Sequence, residues 1–291
     1  MCDELTSKDE QAFLARKQLT RRRFNASTVG AAATMLLPPV ANALDVTEQD
    51  VMVETPDGMA DAYFVHPSTG KHPAVIVWPD IKSIRNAFRA MGKRLAESGY
   101  SVLVVNPYYR THKGAILPDG GSFGDPAIRE LLMPHARSLS PETCVTDGKA
   151  YVKFLDAQDA VDSSKKMGTT GYCMTGSYTF RLAAAMPDRI GAGASFHGGG
   201  LATDKSDSPH RLVPMIKAGF LVAIAENDHE RDPEAEPKLQ KAFADAGVSA
   251  EIEVYENAMH GWCPPDGDAY HEAQAERAWS RLLVLLEKEL A

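Results

Sequence analysis

The sequence predicts an α/β fold, a mostly parallel central sheet with helices on both faces, on three observations. Short apolar runs rich in β-branched residues recur along the chain, segments with a helical apolar period separate them, and no Ser/Gly-rich linker or repeat interrupts the alternation. Runs that are apolar throughout, such as "PAVIVWP" and "SVLVVNP", suit strands buried on both faces, which is the mark of parallel pairing. With 291 residues, 44% of them hydrophobic, the chain has material for one large core.

The N-terminus stands apart from that pattern. "LTRRRFNASTVGAAATMLLPPVANALD" joins three arginines, a small-residue apolar stretch and an Ala-x-Ala ending at Ala41-Asn42-Ala43, which reads as an export signal over residues 1–43. Thr20-Arg21-Arg22-Arg23-Phe24 resembles the twin-arginine pattern, with a general secretory signal as the alternative. The export machinery is therefore an implied partner and the periplasm the implied location. The apolar run from Ala26 to Val40 spans about 22 Å as a helix, short of the roughly 30 Å hydrocarbon core, so no stable membrane span is expected. Residues 44–291 then form a single domain.

Within that domain, "DVMVET" and "ADAYFVHP" flank Pro56-Asp57-Gly58 and read as an opening hairpin with Asp-Gly in the turn. "PAVIVWP", "SVLVVNP", "KKMGTTGYC", "GAGASF", "GFLVAIAEND" and "AEIEVYENA" follow as strands. Helices are expected over residues 84–98, 141–157, 175–186, 233–246 and 267–289. In the last, Trp279, Leu282, Leu283 and Leu286 repeat at helical period and cover the sheet.

The whole chain carries a formal charge of −8; the six basic and four acidic residues of positions 1–43 leave 25 basic against 35 acidic side chains, or −10. So acidic a domain has no basic stripe for phosphates, which argues against nucleic acid as a partner. Cys144, Cys173 and Cys263 remain after Cys2 leaves with the signal, an odd number for an oxidising compartment. No close cysteine pair and no HExxH pattern indicates a metal.

Functional groups of such a sheet gather at the carboxyl ends of its strands. "KKMGTTGYC" ends at Cys173 and a helix follows at once, the context of a nucleophile elbow, in which a sharp turn lifts the side chain clear of the sheet. Thr175 stands where that pattern has glycine, with Gly176 one later; taken alone, the motif leaves a buried inert thiol as the competing reading. "AENDHERDP" puts Asp228 after a later strand and "YENAMHGW" puts His260 after the next, an order of nucleophile, acid and base. Separations of 55 and 32 residues leave room for the intervening strand and helix. Glu226 and Asp232 are rival acids. A free thiol of pKa about 8.5 is mostly protonated at neutral pH, so it needs a base, His260, which in turn needs an acid to fix its tautomer. Two backbone amides would receive the developing oxyanion: Met174, next to the nucleophile, and Ile81 in "VIVWPDIKSIRNAF", after an early strand.

Together these segments resemble the dienelactone hydrolase family, of α/β-hydrolase fold, over about residues 50–288, and "NPYYR" and "SFHGGGLATD" add to the likeness. The resemblance implies a hydrolase without cofactor that opens a small ester or lactone through an acyl-Cys173 intermediate. It implies Asp80, where the family usually has glutamate, as the acid that poises the resting thiol, and Tyr109 and Arg110 as binders of a substrate carboxylate. The second family arginine, shortly after the histidine, has no counterpart in "HGWCPPDGD", which implies a different or less acidic substrate. Trp78 and Trp262 flank the site in sequence as apolar walls, with core packing an equal reading, and His197 reads as a packed core histidine. Two other classes stand beside the hydrolase: a non-catalytic binding or redox-responsive protein with Cys173 modified, and an isomerase or lyase using the same acid–base pair. A Cys144–Cys263 disulfide would reconcile the odd cysteine count with a working thiol at Cys173.

Overall fold

The computed structural model describes Lys8, residues 37–117 and residues 121–291. Its strands are β1 (Val46–Thr55), β2 (Gly58–Pro67), β3 (Ala74–Trp78), β4 (Ser101–Val105), β5 (Met167–Tyr172), β6 (Ile190–Phe196), β7 (Gly219–Ala225) and β8 (Ala250–Tyr255). Its helices are α1 (Asn86–Glu97), α2 (Pro126–Arg137), α3 (Pro141–Asp156), α4 (Gly176–Ala185), α5 (Glu226–Arg231), α6 (Ala235–Ala246) and α7 (Glu272–Leu290). The expected export signal falls almost wholly outside the described residues. Among the described residues no helix is long and apolar enough to cross a membrane.

One eight-stranded sheet runs in the order β1-β2-β4-β3-β5-β6-β7-β8. β1 and β2 form the expected hairpin, closed by Pro56 and Asp57 with Thr55 facing Gly58, and β2 meets β4 antiparallel. From β4 to β8 every neighbour is parallel, so all those strands end on one edge.

The pleat divides the core between two faces. Along β3, Ile76 and Trp78 pack with Tyr151 and Leu155 of α3, Phe180 and Leu182 of α4, and Leu239 and Phe243 of α6. Val75 and Val77 pack on the other side with Phe88 and Leu95 of α1 and Leu282 and Leu286 of α7. That period-2 alternation within an apolar strand is why both faces need helices.

Cys144 belongs to the first face and Cys263 to the second, and both are free thiols. The expected Cys144–Cys263 disulfide is therefore corrected, because the sheet lies between the two sulfurs. Two helices were not anticipated. α2 carries Pro134 inside it, but Asp125 caps it by accepting from the Ala127 amide and Pro126 opens it, a start signal legible in the sequence. α5 begins directly after β7, so "ENDHER", read as the end of a strand and a loop, is helical.

Candidate active site

Cys173 follows β5 in a tight 3-10 turn, Cys173–Thr175, before α4. Its φ of 58° lies in the left-handed region, where a side chain other than that of glycine is strained. Such strain persists only when the surroundings over-determine it, and Thr175 does much of that. Its Oγ1 accepts from the Tyr172 amide at 2.9 Å and lies 2.8 Å from the Trp78 carbonyl oxygen and 2.9 Å from that of Pro79. The residue that departs from the glycine pattern is thus the tie between the Cys173 turn and the loop leaving β3. Gly171 is required for the same close approach, since a Cβ there would run into the Thr175 carbonyl.

Asp228 sits in the first turn of α5 and His260 in the loop after β8. His260 Nδ1 and Asp228 Oδ2 are 2.7 Å apart, and the His260 amide donates to Asn227 Oδ1 at 2.8 Å, which fixes the loop to α5. The parallel register of β7 and β8 brings these two segments side by side. The carboxylate at Nδ1 thus fixes the orientation of the imidazole. A cavity of about 60 Å³ is lined by Cys173 and His260 together with Asp80, Ile81, Lys82, Phe123 and His197.

The two candidate oxyanion residues share a neighbour. Tyr108 Oη donates to the Ile81 carbonyl at 2.8 Å and lies 3.7 Å from Met174 Sδ. Pinning the carbonyl fixes the peptide loop from which the Ile81 amide projects, and the Met174 amide opens a helical turn, where N–H groups lack intrahelical acceptors.

Asp80 lines the cavity with both oxygens engaged. Arg85 NH1 and NH2 donate to Oδ1 and Oδ2 at 2.7 and 2.9 Å, and the Lys82 amide donates to Oδ1 at 2.9 Å. Burial, the largest single influence, would raise the Asp80 carboxyl, but the charge and hydrogen bonds of Arg85, with those of Lys82, together outweigh it and hold the group below its ordinary value. Arg85 is 2% exposed and uses its whole fork, reaching Asp266 through Nε and NH2 and the Ser83 carbonyl through NH1. Lys82 Nζ donates to the Gly121 carbonyl at 3.2 Å and lies 3.6 Å from Asp266 Oδ2. The segment after the histidine, which lacks an arginine, thus supplies an acid that secures an arginine from elsewhere.

Other expected substrate contacts are not brought to the cavity. Arg110 spans Asp57 and Asp147, at 2.6 and 2.7 Å, and Tyr109 Oη reaches Asp147 at 2.8 Å and Thr55 Oγ1 at 2.7 Å. Two carboxylates claim the guanidinium, so Arg110 and Tyr109 tie the hairpin turn to α3. Trp78 lies in the core, donating to Thr169 Oγ1 at 3.0 Å and meeting Tyr151 and Tyr178 edge-on. Trp262 is also fully buried; it stacks on Tyr255 and backs the cavity through His197, 5.1 Å away between ring centroids. Lys82, Arg85, Asp266, Tyr108 and Phe123 had no local signal that separated them from their neighbours. His197, read as core packing, is buried but lines the cavity. Among the described residues no cluster of His, Cys, Asp and Glu could hold a metal ion.

The fold and this strand-edge site define an α/β-hydrolase. Residues 60–290 match the model of the dienelactone hydrolase family, and the chain belongs to that family. Its relatives include a carboxymethylenebutenolidase of Rhodococcus opacus, 25% identical over 78% of this chain and 86% of that protein. Another, from Bradyrhizobium, is named a probable 2-oxo-3-(5-oxofuran-2-ylidene)propanoate lactonase and is 26% identical over 79% of this chain and 89% of its own length. A dienelactone hydrolase-like promiscuous phosphotriesterase from metagenomic libraries superposes with a TM-score of 0.69 at 20% identity, over 84% of this chain and 99% of that one. The protein is accordingly a hydrolase of the dienelactone hydrolase type.

Proposed function

We propose that the protein opens a small ester or lactone through a Cys173–His260–Asp228 triad and an acyl-cysteine intermediate. The observation that carries this reading is the 2.7 Å pairing of Asp228 with His260 at the cavity that also holds Cys173 on its strained turn. His260 takes the thiol proton through Nε2, the sulfur adds to the carbonyl carbon, and the Ile81 and Met174 amides receive the oxyanion. The alkoxide leaves with the proton from His260, and water then cleaves the thioester. The catalytic form is the one with Cys173 as a reduced thiol. Asp80 and Lys82 line the cavity and Arg85 and Asp266 lie behind them, so the charges offset one another, which favours a substrate less acidic than a dienelactone carrying a free carboxylate.

The test is hydrolysis of a chromogenic acetate ester and of a dienelactone by reductant-treated wild type and Cys173→Ala. Equal rates in the two proteins would sink the mechanism. The odd number of cysteines left after the signal motivates a redox-responsive reading, in which Cys173 is modified; activity that is the same with and without a thiol reductant removes it. Export through the N-terminal signal belongs to the same proposal, and intact mass of the protein recovered from the periplasm, beginning at Leu44, is its check.

A further inference from the structure

Arg85, Arg94 and Arg110 are largely buried, and each closes on carboxylates: Arg85 on Asp80 and Asp266, Arg94 on Glu276 at 2.6 Å through both terminal nitrogens, and Arg110 on Asp57 and Asp147. Arg181 is different. Its side chain is 13% exposed, yet its ion pair among the described residues is with Asp207 Oδ2 at 3.6 Å, longer than a hydrogen bond, and the Asp207 side chain is itself 55% exposed. None of its guanidinium N–H groups closes on an acceptor among the described residues. A cation so far withdrawn from water normally has its donors engaged, so what Arg181 lines is informative.

It lines a groove of about 240 Å³, which has room for a polyatomic ion with its waters, since one water needs roughly 10–15 Å³. Ser177, Tyr178 and Arg181 form one wall, sharing a face of α4 through their spacing of three and four residues. The other wall comes from "HGGGLATD", of which the catalytic cavity uses only His197: Gly199 and Gly200 bring no side chain, and Thr203 brings a hydroxyl. Lys205 and Asp207 are the exposed charges of the groove. Met174 joins the groove to the catalytic site, because it lines the groove and also packs in the apolar cluster of Cys173, Ile81 and Phe123.

We propose that Arg181 anchors a binding site for an oxyanion, a carboxylate or phosphate group, in this groove beside the catalytic cavity. The planar guanidinium fork matches such a group bidentately and is more weakly hydrated than an ammonium, which suits a half-enclosed site. Lys205 adds a second positive charge against the one carboxylate of Asp207, so the groove is locally cationic in a domain with 35 acidic and 25 basic side chains. The catalytic cavity is the opposite case, since Asp80 and Asp266 hold Arg85 and Lys82 there. An anionic group in the groove stays clear of Asp80, whose charge disfavours a carboxylate next to the reacting carbonyl. The oxyanion is either free in solution or the far end of a substrate that reaches past Met174, and the same donors receive both. The site stands whether or not Cys173 is acylated.

Calorimetric titration of the full chain at constant ionic strength tests the site with two probes, inorganic phosphate and mono-p-nitrophenyl succinate. The chain carries Cys173→Ala, so that under the acyl-cysteine reading the ester is bound and not turned over. At least one probe should bind saturably, and adding Arg181→Met should weaken it roughly 10–100-fold, the loss of a charge-assisted pair of hydrogen bonds. Lys288→Met makes the same change of net charge on α7, on the other face of the sheet, and should leave both probes nearly unaffected. Phosphate binding lost with Arg181 identifies a free oxyanion; loss for the succinate ester alone identifies a group carried by the substrate. If Arg181→Met does not melt cooperatively, Arg181→Gln takes its place in the same comparison. Failure of both probes to bind, or equal weakening by the Arg181 and Lys288 variants, overturns the proposal. Release of p-nitrophenol by the Cys173→Ala chain removes the acyl-cysteine reading instead and leaves the phosphate titration standing.

Discussion

Replacing Arg85 with methionine keeps much of the side-chain volume and removes the one cation that joins two buried carboxylates. In the wild type all five guanidinium donors are used, three on Asp80 and Asp266 through NH1, NH2 and Nε, and the remainder on Asp266 and the Ser83 carbonyl. The Arg85 and Asp266 side chains are each 1% exposed, so water cannot take over. Breaking one partner out of such a network costs about 3–5 kcal/mol at pH 7, with Lys82 near Asp266 setting the lower end, and in a domain of this size that lowers Tm by about 6–20 °C. The pH dependence gives the sign. In the wild type the folded Asp80 carboxyl lies below its unfolded value, so its stabilisation is present above the unfolded pKa, about 3.9, and is lost as pH falls through the folded one. Without Arg85, burial dominates and the folded pKa rises above the unfolded value, so the variant gains stability as pH falls. Urea unfolding followed by far-UV circular dichroism at pH 7 and pH 4.5 should therefore show a large gap that narrows at the lower pH. A variant within about 1 kcal/mol of wild type at pH 7, or a gap independent of pH, would refute the reasoning.

Asp228→Asn should leave the unfolding midpoint close to wild type and lower kcat for a chromogenic ester by about 10²–10⁴-fold, because the amide no longer fixes the His260 tautomer. Thr175→Val leaves the Tyr172 amide without its acceptor and frees the Pro79 carbonyl; urea unfolding should show a loss of about 1–3 kcal/mol, with kcat down roughly tenfold as the Ile81 amide shifts. Arg110→Met leaves the buried Asp147 without its cation and should cost about 3 kcal/mol, yet KM for an anionic lactone should stay within about twofold, since the guanidinium lies outside the cavity. A rise in KM of tenfold or more would return Arg110 to the substrate.

The residues of the proposed triad can be picked out in the sequence because each is announced locally. Cys173 is flanked by the glycines its turn needs, and Asp228 and His260 each follow an apolar run that ends at the same edge of a parallel sheet. Element boundaries were less secure where the chain changes type abruptly, as at "ENDHER", whose helix begins with no loop after β7. The walls of the cavity were not legible, because each is settled by a long-range contact. Arg110 and Arg85 both follow a strand within a few residues, and nothing nearby in sequence says which is claimed by Asp57 and Asp147 and which by Asp80 and Asp266. Asp266 lies 181 residues from Arg85, and only the folded sheet brings the loop after β8 against the loop after β3. Cys144 and Cys263 failed as a pair for the same reason, since the sequence does not state on which face of the sheet each falls.

The same long-range contacts change what the missing arginine means. Its absence after the histidine suggests a weaker hold on substrate carboxylates, yet cations are not lacking near the cavity: Lys82 lines it and Arg85 lies behind it on Asp80. What differs is that their charge is spent inside the protein. Arg85 offers no donor to a ligand, because Asp80 and Asp266 have taken four of its contacts and Ser83 the fifth. Lys82 lines the cavity but already reaches the Gly121 carbonyl and the Asp266 carboxylate. A substrate carboxylate entering here would have to compete with two resident carboxylates for those cations. The proposed preference for a less acidic substrate thus rests on local neutralisation, not on a shortage of positive residues.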